Sequence, residues 1–99
     1  MTPARTAPDE VFRSVADDLV SAGCAQRNRR GSVLGSDGTV RAMTSTGRIV
    51  VKLGHDRCHE LVAAGTGSPY KGQDNAWVVL DPGLAAATVR ALVVEALRL

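Results

Sequence analysis

Between Gly38 and Gly65 the chain alternates apolar and polar residues, breaks at a turn, alternates again and then shifts to a helical period, an order that few folds accommodate. A two-residue loop at Thr46-Gly47 closes the two alternating runs into a β-hairpin, pairing Ser45 with Arg48 and each earlier residue with its partner. Val40, Ala42 and Thr44 then oppose Leu53, Val51 and Ile49 on one face, while Arg41 opposes Lys52 and Met43 opposes Val50 on the other. The apolar trio Ile49, Val51 and Leu53 sets this register, because a slip of one residue would turn all three to solvent. The first face is expected to look toward a core and the second, with its cations, toward water. Gly54 ends the second strand, and His55 to Ala64 reads as a short helix closed by Gly65, with Cys58, Leu61 and Val62 inward.

The flanking segments extend this unit into an α+β domain. Asp9 to Ala22 carries Val11, Phe12, Val15, Leu19 and Val20 at helical spacing, with Asp9 and Glu10 in the first turn and Gly23 as the stop. Cys24 to Gly31 is polar and reads as a loop, Ser32-Val-Leu34 as a short strand, and Gly35-Ser-Asp-Gly38 as a turn. Thr66 to Asn75 reads as a loop and Ala76-Trp-Val-Val-Leu80 as a buried strand. Asp81 and Pro82 suggest an N-cap and first helical residue, opening a final helix from about Gly83 to Leu99. Its stripe of Ala85, Val89, Leu92, Ala96 and Leu99, with Val93, should cover the sheet; Val94 and Leu97 fall outside the stripe as surplus apolar surface. The expected order is α-β-β-β-α-β-α with an antiparallel sheet and flanking helices in a single domain, residues 9–99, preceded by a flexible arm, residues 1–8.

At 99 residues with 44% hydrophobic and 22% charged positions, the chain has a globular composition and enough length for one core. Only Phe12, Tyr70 and Trp77 are aromatic, so Val, Leu and Ala must build that core. No apolar run is long enough for a signal peptide or membrane span, which points to a cytoplasmic protein with no membrane partner. Cys24 and Cys58 are expected as thiols, since a domain with its own core needs no covalent staple. The net charge of +2 conceals a polarity: Ala25 to Lys52 holds six cations against Asp37, a balance of +5, and the remainder sums to −3.

Several short segments agree in order and spacing with one known family. Gly38-x-x-x-Ala42-Met43, Arg48-Ile-Val-Val-Lys-Leu53, Arg57, Glu60-Leu-Val-Ala-Ala-Gly65, Trp77-Val-Val and Glu95-Ala-Leu97 together resemble the TfoX/Sxy N-terminal-domain family over roughly residues 10–99. The resemblance implies a compact α+β domain related in architecture to the YjbR/MmcQ proteins, a bacterial origin, and a regulatory role associated in full-length members with competence. It implies no catalytic motif. Where the family usually shows Met-Phe-Gly this chain has Arg29-Arg30-Gly31, and where it shows the Phe of Phe-Ala-Met this chain has Arg41.

Three functional readings follow. The first is a small non-enzymatic regulatory or interaction module, for which a protein partner or a homodimer would cover Val94 and Leu97. The second is weak binding to nucleic-acid phosphates through Arg27, Arg29, Arg30, Arg41, Arg48 and Lys52, the one set of cations that a hairpin face and its adjoining loop would gather. The third uses His55, Cys58 and His59, two imidazoles at i and i+4 with a thiol between them, as a metal site or small active centre. An Asp follows His55 where zinc proteases place Glu, and no third ligand stands at a diagnostic spacing, so no metal and no cofactor is expected. The Gly-rich stretches lack the lysine pattern and strand-helix context of nucleotide-binding loops.

Overall fold

A computed structural model describes residues 8–70 and 76–99. The expected arm therefore lies outside the described residues up to residue 7, as does the 71–75 part of the expected loop. The elements are α1 (Pro8–Ser21), β1 (Gln26–Arg27), β2 (Val33–Leu34), β3 (Val40–Ser45), β4 (Arg48–Lys52), α2 (His55–Ala63), β5 (Gly67–Pro69), β6 (Trp77–Leu80) and α3 (Ala86–Leu97). The six strands form one antiparallel sheet in the order β1-β2-β3-β4-β6-β5. This is the expected α+β class and element order, with two short edge strands added.

The hairpin at its centre has the expected register: Ala42 faces Val51, Met43 faces Val50, Thr44 faces Ile49 and Ser45 faces Arg48. Thr46 and Gly47 both have positive φ, 50° and 77°, the mirror-image turn that matches the twist of paired strands. Around it, α1 turns Phe12, Val15, Ala16 and Leu19 inward and ends at Gly23 in a left-handed conformation. There the Cys24 and Gly23 amides bond back to the carbonyls of Leu19 and Val20 at 2.9 and 3.0 Å, satisfying these two acceptors of the last turn. α2 ends in the same way at Gly65.

One continuous core joins all three helices to one face of the sheet. It contains Phe12, Leu19, Val33, Ile49, Val51, Leu53, Cys58, Leu61, Val78, Leu80, Leu92 and Val93, each side chain of Val or Leu size contributing about 1.5–3 kcal/mol when fully buried. α1 and α3 pack on each other and across β3 and β4, whereas α2 packs on β5 and β6. An ion pair from Arg57 Nε to Glu95 Oε2, 2.9 Å, ties α2 to α3.

Four details differ from the sequence reading. Gln26–Arg27 and Gly67–Pro69 are edge strands, where loops were expected. Asp81 caps a turn instead of the helix: its Oδ2 accepts the Gly83 amide at 2.9 Å, and α3 begins only at Ala86. Val94 and Leu97 are half-buried against the core, because α3 meets α1 as well as the sheet and so buries a wider arc than a sheet alone would cover. The surplus apolar surface expected on this helix is thus used within the fold. Lastly, Val50, on the mixed hairpin face expected to look toward water, is fully buried.

Candidate functional site

Two regions bring chemistry-bearing side chains together. The first is a cavity of about 270 Å³ lined by His55, Cys58, His59 and Val62 of α2, Pro69 and Tyr70 at the end of β5, and Trp77 at the start of β6. Backbone geometry builds it. Gly54, with φ at 85°, lets the chain turn from β4 into α2, and its carbonyl accepts the Cys58 amide at 3.1 Å. The Leu53 and Gly54 amides both bond to the Ala76 carbonyl, which fixes the start of β6 beside the first turn of α2. Antiparallel pairing of Pro69 with Val78 then carries Tyr70 up to the same wall. The third sequence reading thus has its three residues around one cavity, with His55 and His59 exposed and Cys58 buried. The Cys58 thiol donates to the Ala76 carbonyl at 3.2 Å, a contact that turns it toward backbone. Among the described residues, no three His, Cys, Asp or Glu side chains are grouped so as to hold a metal ion. Cys24 and Cys58 are not joined to each other.

The second region is the face of the sheet opposite the helices. Val50 lies at its centre, the one buried apolar residue among those described that stands outside the main core. Met43 and Val79 flank it across the strands, and both are half-buried. Arg48 and Lys52 alternate with Val50 along β4, so they belong to the same face, and Lys52 is paired with Trp77 where this face meets the cavity. Among the described residues, no carboxylate lies within ion-pair distance of Arg48 or Lys52.

The six cations singled out from the sequence do not form one surface. Arg27 pairs with Asp17 and so attaches β1 to α1. Arg27 and Arg30 share a shallow depression with Arg13, Asp9, Gly31 and Thr44, on the side of the sheet that carries α1. Arg29 is exposed on the turn beside it. Arg41 is drawn away to the β2–β3 turn: its Nη2 lies 3.1 Å from Asp37 Oδ2 and 3.5 Å from the Leu99 carbonyl, and its side chain retains 13% exposure. It lies so close over Gly35 that a β-carbon there would come within 3.0 Å of its Nε. Asp37 is itself held below the ordinary carboxylate pKa, first by the Thr39 hydroxyl and then by the Thr39 amide, with the Arg41 charge adding to them.

Sequence reasoning missed the aromatic and proline walls of the cavity, because Tyr70 and Pro69 reach it only through the β5–β6 pairing. It also missed the open-face patch, although the alternation of Trp77 and Val79 with the buried Val78 and Leu80 held the signal. No helix among the described residues is long and apolar enough to cross a membrane. Comparison of the chain with models of known protein families, with characterised proteins and with solved structures returns no match.

Proposed function

We propose that the chain is a small non-catalytic interaction module, of the regulatory kind that its resemblance to the TfoX N-terminal domain implies, and that it receives a protein partner on the open face of its sheet. The observation that carries this reading is the composition of that face. Met43 and Val79, half-buried over the fully buried Val50, are bordered by Arg48 and Lys52, neither of which has an acid beside it among the described residues. Interfaces between proteins commonly have this build, an apolar middle inside a polar rim, and the two unpaired cations call for a partner with an acidic rim. Nucleic-acid recognition would need more cations and stacking surfaces than this face supplies.

A photo-crosslinking amino acid placed at Met43 or Val79, with Arg90 on the exposed side of α3 as control, tests the reading in cells that express the protein. A discrete protein adduct is expected from the open face alone, lost on charge reversal by R48E with K52E in a chain that retains its folded circular dichroism. An adduct of twice the chain mass would identify the partner as a second copy. Equal labelling from α3, adducts indifferent to the charge reversal, or adducts to nucleic acid would overturn it.

A second reading, contact with a phosphate backbone, is favoured by the convergence of Arg13, Arg27 and Arg30 around Thr44. Asp9 and Asp17 offset part of that charge, so the expected binding is weak and steeply salt-dependent. A mobility assay with duplex DNA at low salt, repeated with R13E and R30E, decides it.

A further inference from the structure

We propose that the cavity beside α2 is a binding site for a small planar aromatic carboxylate. Its walls and its polar groups point to the two halves of such a ligand. Tyr70 and Trp77 offer aromatic faces, and Val62 and Pro69 close the apolar part, a lining suited to a flat ring. On the α2 side His55 and His59, one helical turn apart, each have an imidazole N–H to donate. Two such donors match the two oxygens of a carboxylate.

The neighbouring charges agree with an anion. Among the described residues no carboxylate lines the cavity, and the nearby Glu60 and Glu95 are engaged by Arg57, whose guanidinium reaches them at 3.1 and 2.9 Å. A cationic ligand would find ring faces here but no counter-charge among the described lining residues. A metal ion would find two imidazoles and a thiol already committed to the Ala76 carbonyl. The volume, about 270 Å³, lies near the lower end of the range of about 300–1,000 Å³ usual for ligand pockets, which suits a ligand of one ring or two fused rings. The cavity adjoins the open face at Trp77 but shares neither Met43 nor Val79 with it, so loss of naphthoate binding with the open-face crosslinks intact would fail this site alone.

Titration of the ¹⁵N-labelled full chain with 2-naphthoate tests the site, followed by amide shifts and by the emission of Trp77, the chain's single tryptophan. Saturable binding is expected, with shifts centred on α2, on Tyr70 beside Pro69 and on Trp77. Removing the charge (2-naphthylmethanol) or the ring (cyclohexanecarboxylate) should each weaken binding about tenfold, the scale of one lost charge-assisted or stacking contact. The double variant H55N with H59N should lose the preference for naphthoate over the alcohol, and V62F should abolish binding of both by filling the cavity. The two histidines are exposed, so their variant remains informative even if V62F fails to fold. Absence of saturation at 10-fold molar excess and beyond to the solubility limit, equal affinity for acid and alcohol, tighter binding of 2-naphthylmethylammonium, or shifts elsewhere on the chain would overturn the assignment.

Discussion

The two faces of the central hairpin are made by the same strands, yet they are buried in different ways. On the helix-bearing face Ala42, Ile49 and Val51 are covered by α1 and α3, elements distant in sequence that pack to close contact. On the open face Val50 is just as inaccessible yet stands outside the three-helix core, and among the described residues half-exposed neighbours such as Met43, Val79 and Lys52 surround it. Burial by separate elements is rigid and leaves a cavity when a side chain is cut back, whereas burial by long flanking side chains relaxes. Equal accessibility therefore should not mean equal energetic weight.

The sharpest way to break this comparison is a truncation series read by urea unfolding. Val51→Ala should cost about 2.5 kcal/mol, Val50→Ala about 1 kcal/mol and Met43→Ala less than that. If Val50→Ala proves as costly as Val51→Ala, the open face is packed as tightly as the core, and its reading as a docking surface weakens. A second test contrasts the sheet's centre with its β5 edge. A β-carbon on Gly67 would stand 2.6 Å from Val78 Cγ2 and 2.9 Å from the Val79 carbonyl oxygen, so Gly67→Ala has to displace backbone. A loss of about 2 kcal/mol is expected, the usual cost of overpacking, with faster amide exchange confined to β5 and β6. Exchange that quickens uniformly would show that β5 is an integral part of the sheet's cooperative unit.

How much of this was legible in the residues depended on whether a segment's burial is local or imposed. The hairpin could be read pair by pair, because its period of two and its Thr46-Gly47 turn are local signals that tertiary packing reinforces. Gln26-Arg27 and Gly67-Ser-Pro69 carry no such pattern. They are strands only because β2 and β6 offer free edges, and at an edge the missing N–H of Pro69 is tolerated. The breadth of α3's buried arc was likewise hidden, since it depends on α1 lying alongside. At the candidate cavity, the helical spacing of His55, Cys58 and His59 was visible, but the aromatic wall that makes a cavity of it comes from strand pairing between segments with little strand character.

Smaller effects sharpen the same contrast at the ends of the strands. Thr46 is a β-branched residue held at φ 50°, and asparagine adopts that region more readily; Thr46→Asn should stabilise the chain by about 0.5 kcal/mol in thermal unfolding. Gly47→Ala, at φ 77°, should cost about 1 kcal/mol because an L side chain meets its own backbone there. Opposite signs at adjacent positions would establish that the turn geometry itself, rather than packing, sets the energy at this end of the hairpin.

At the other end of β3 the energy is electrostatic and should therefore depend on pH. Thr39 and Arg41 depress the Asp37 pKa in the folded chain, so the unfolded chain binds a proton at this group more readily than the folded one. The resulting stabilisation is fully present above the unfolded carboxylate value of about 3.9 and disappears as the pH falls through the lower folded value. Asp37→Asn should leave a chain whose stability declines less steeply below about pH 4 than that of the parent, with the two curves parallel at neutral pH. Because Asp37 is exposed, the difference is expected to be small, and it should not extend to Arg48 or Lys52 on the open face, where no acid among the described residues stands to be protonated. Were K52Q to flatten the acid limb as D37N does, a carboxylate would have to lie against the open face, and the acidic rim assigned to a partner would already be supplied by the chain itself.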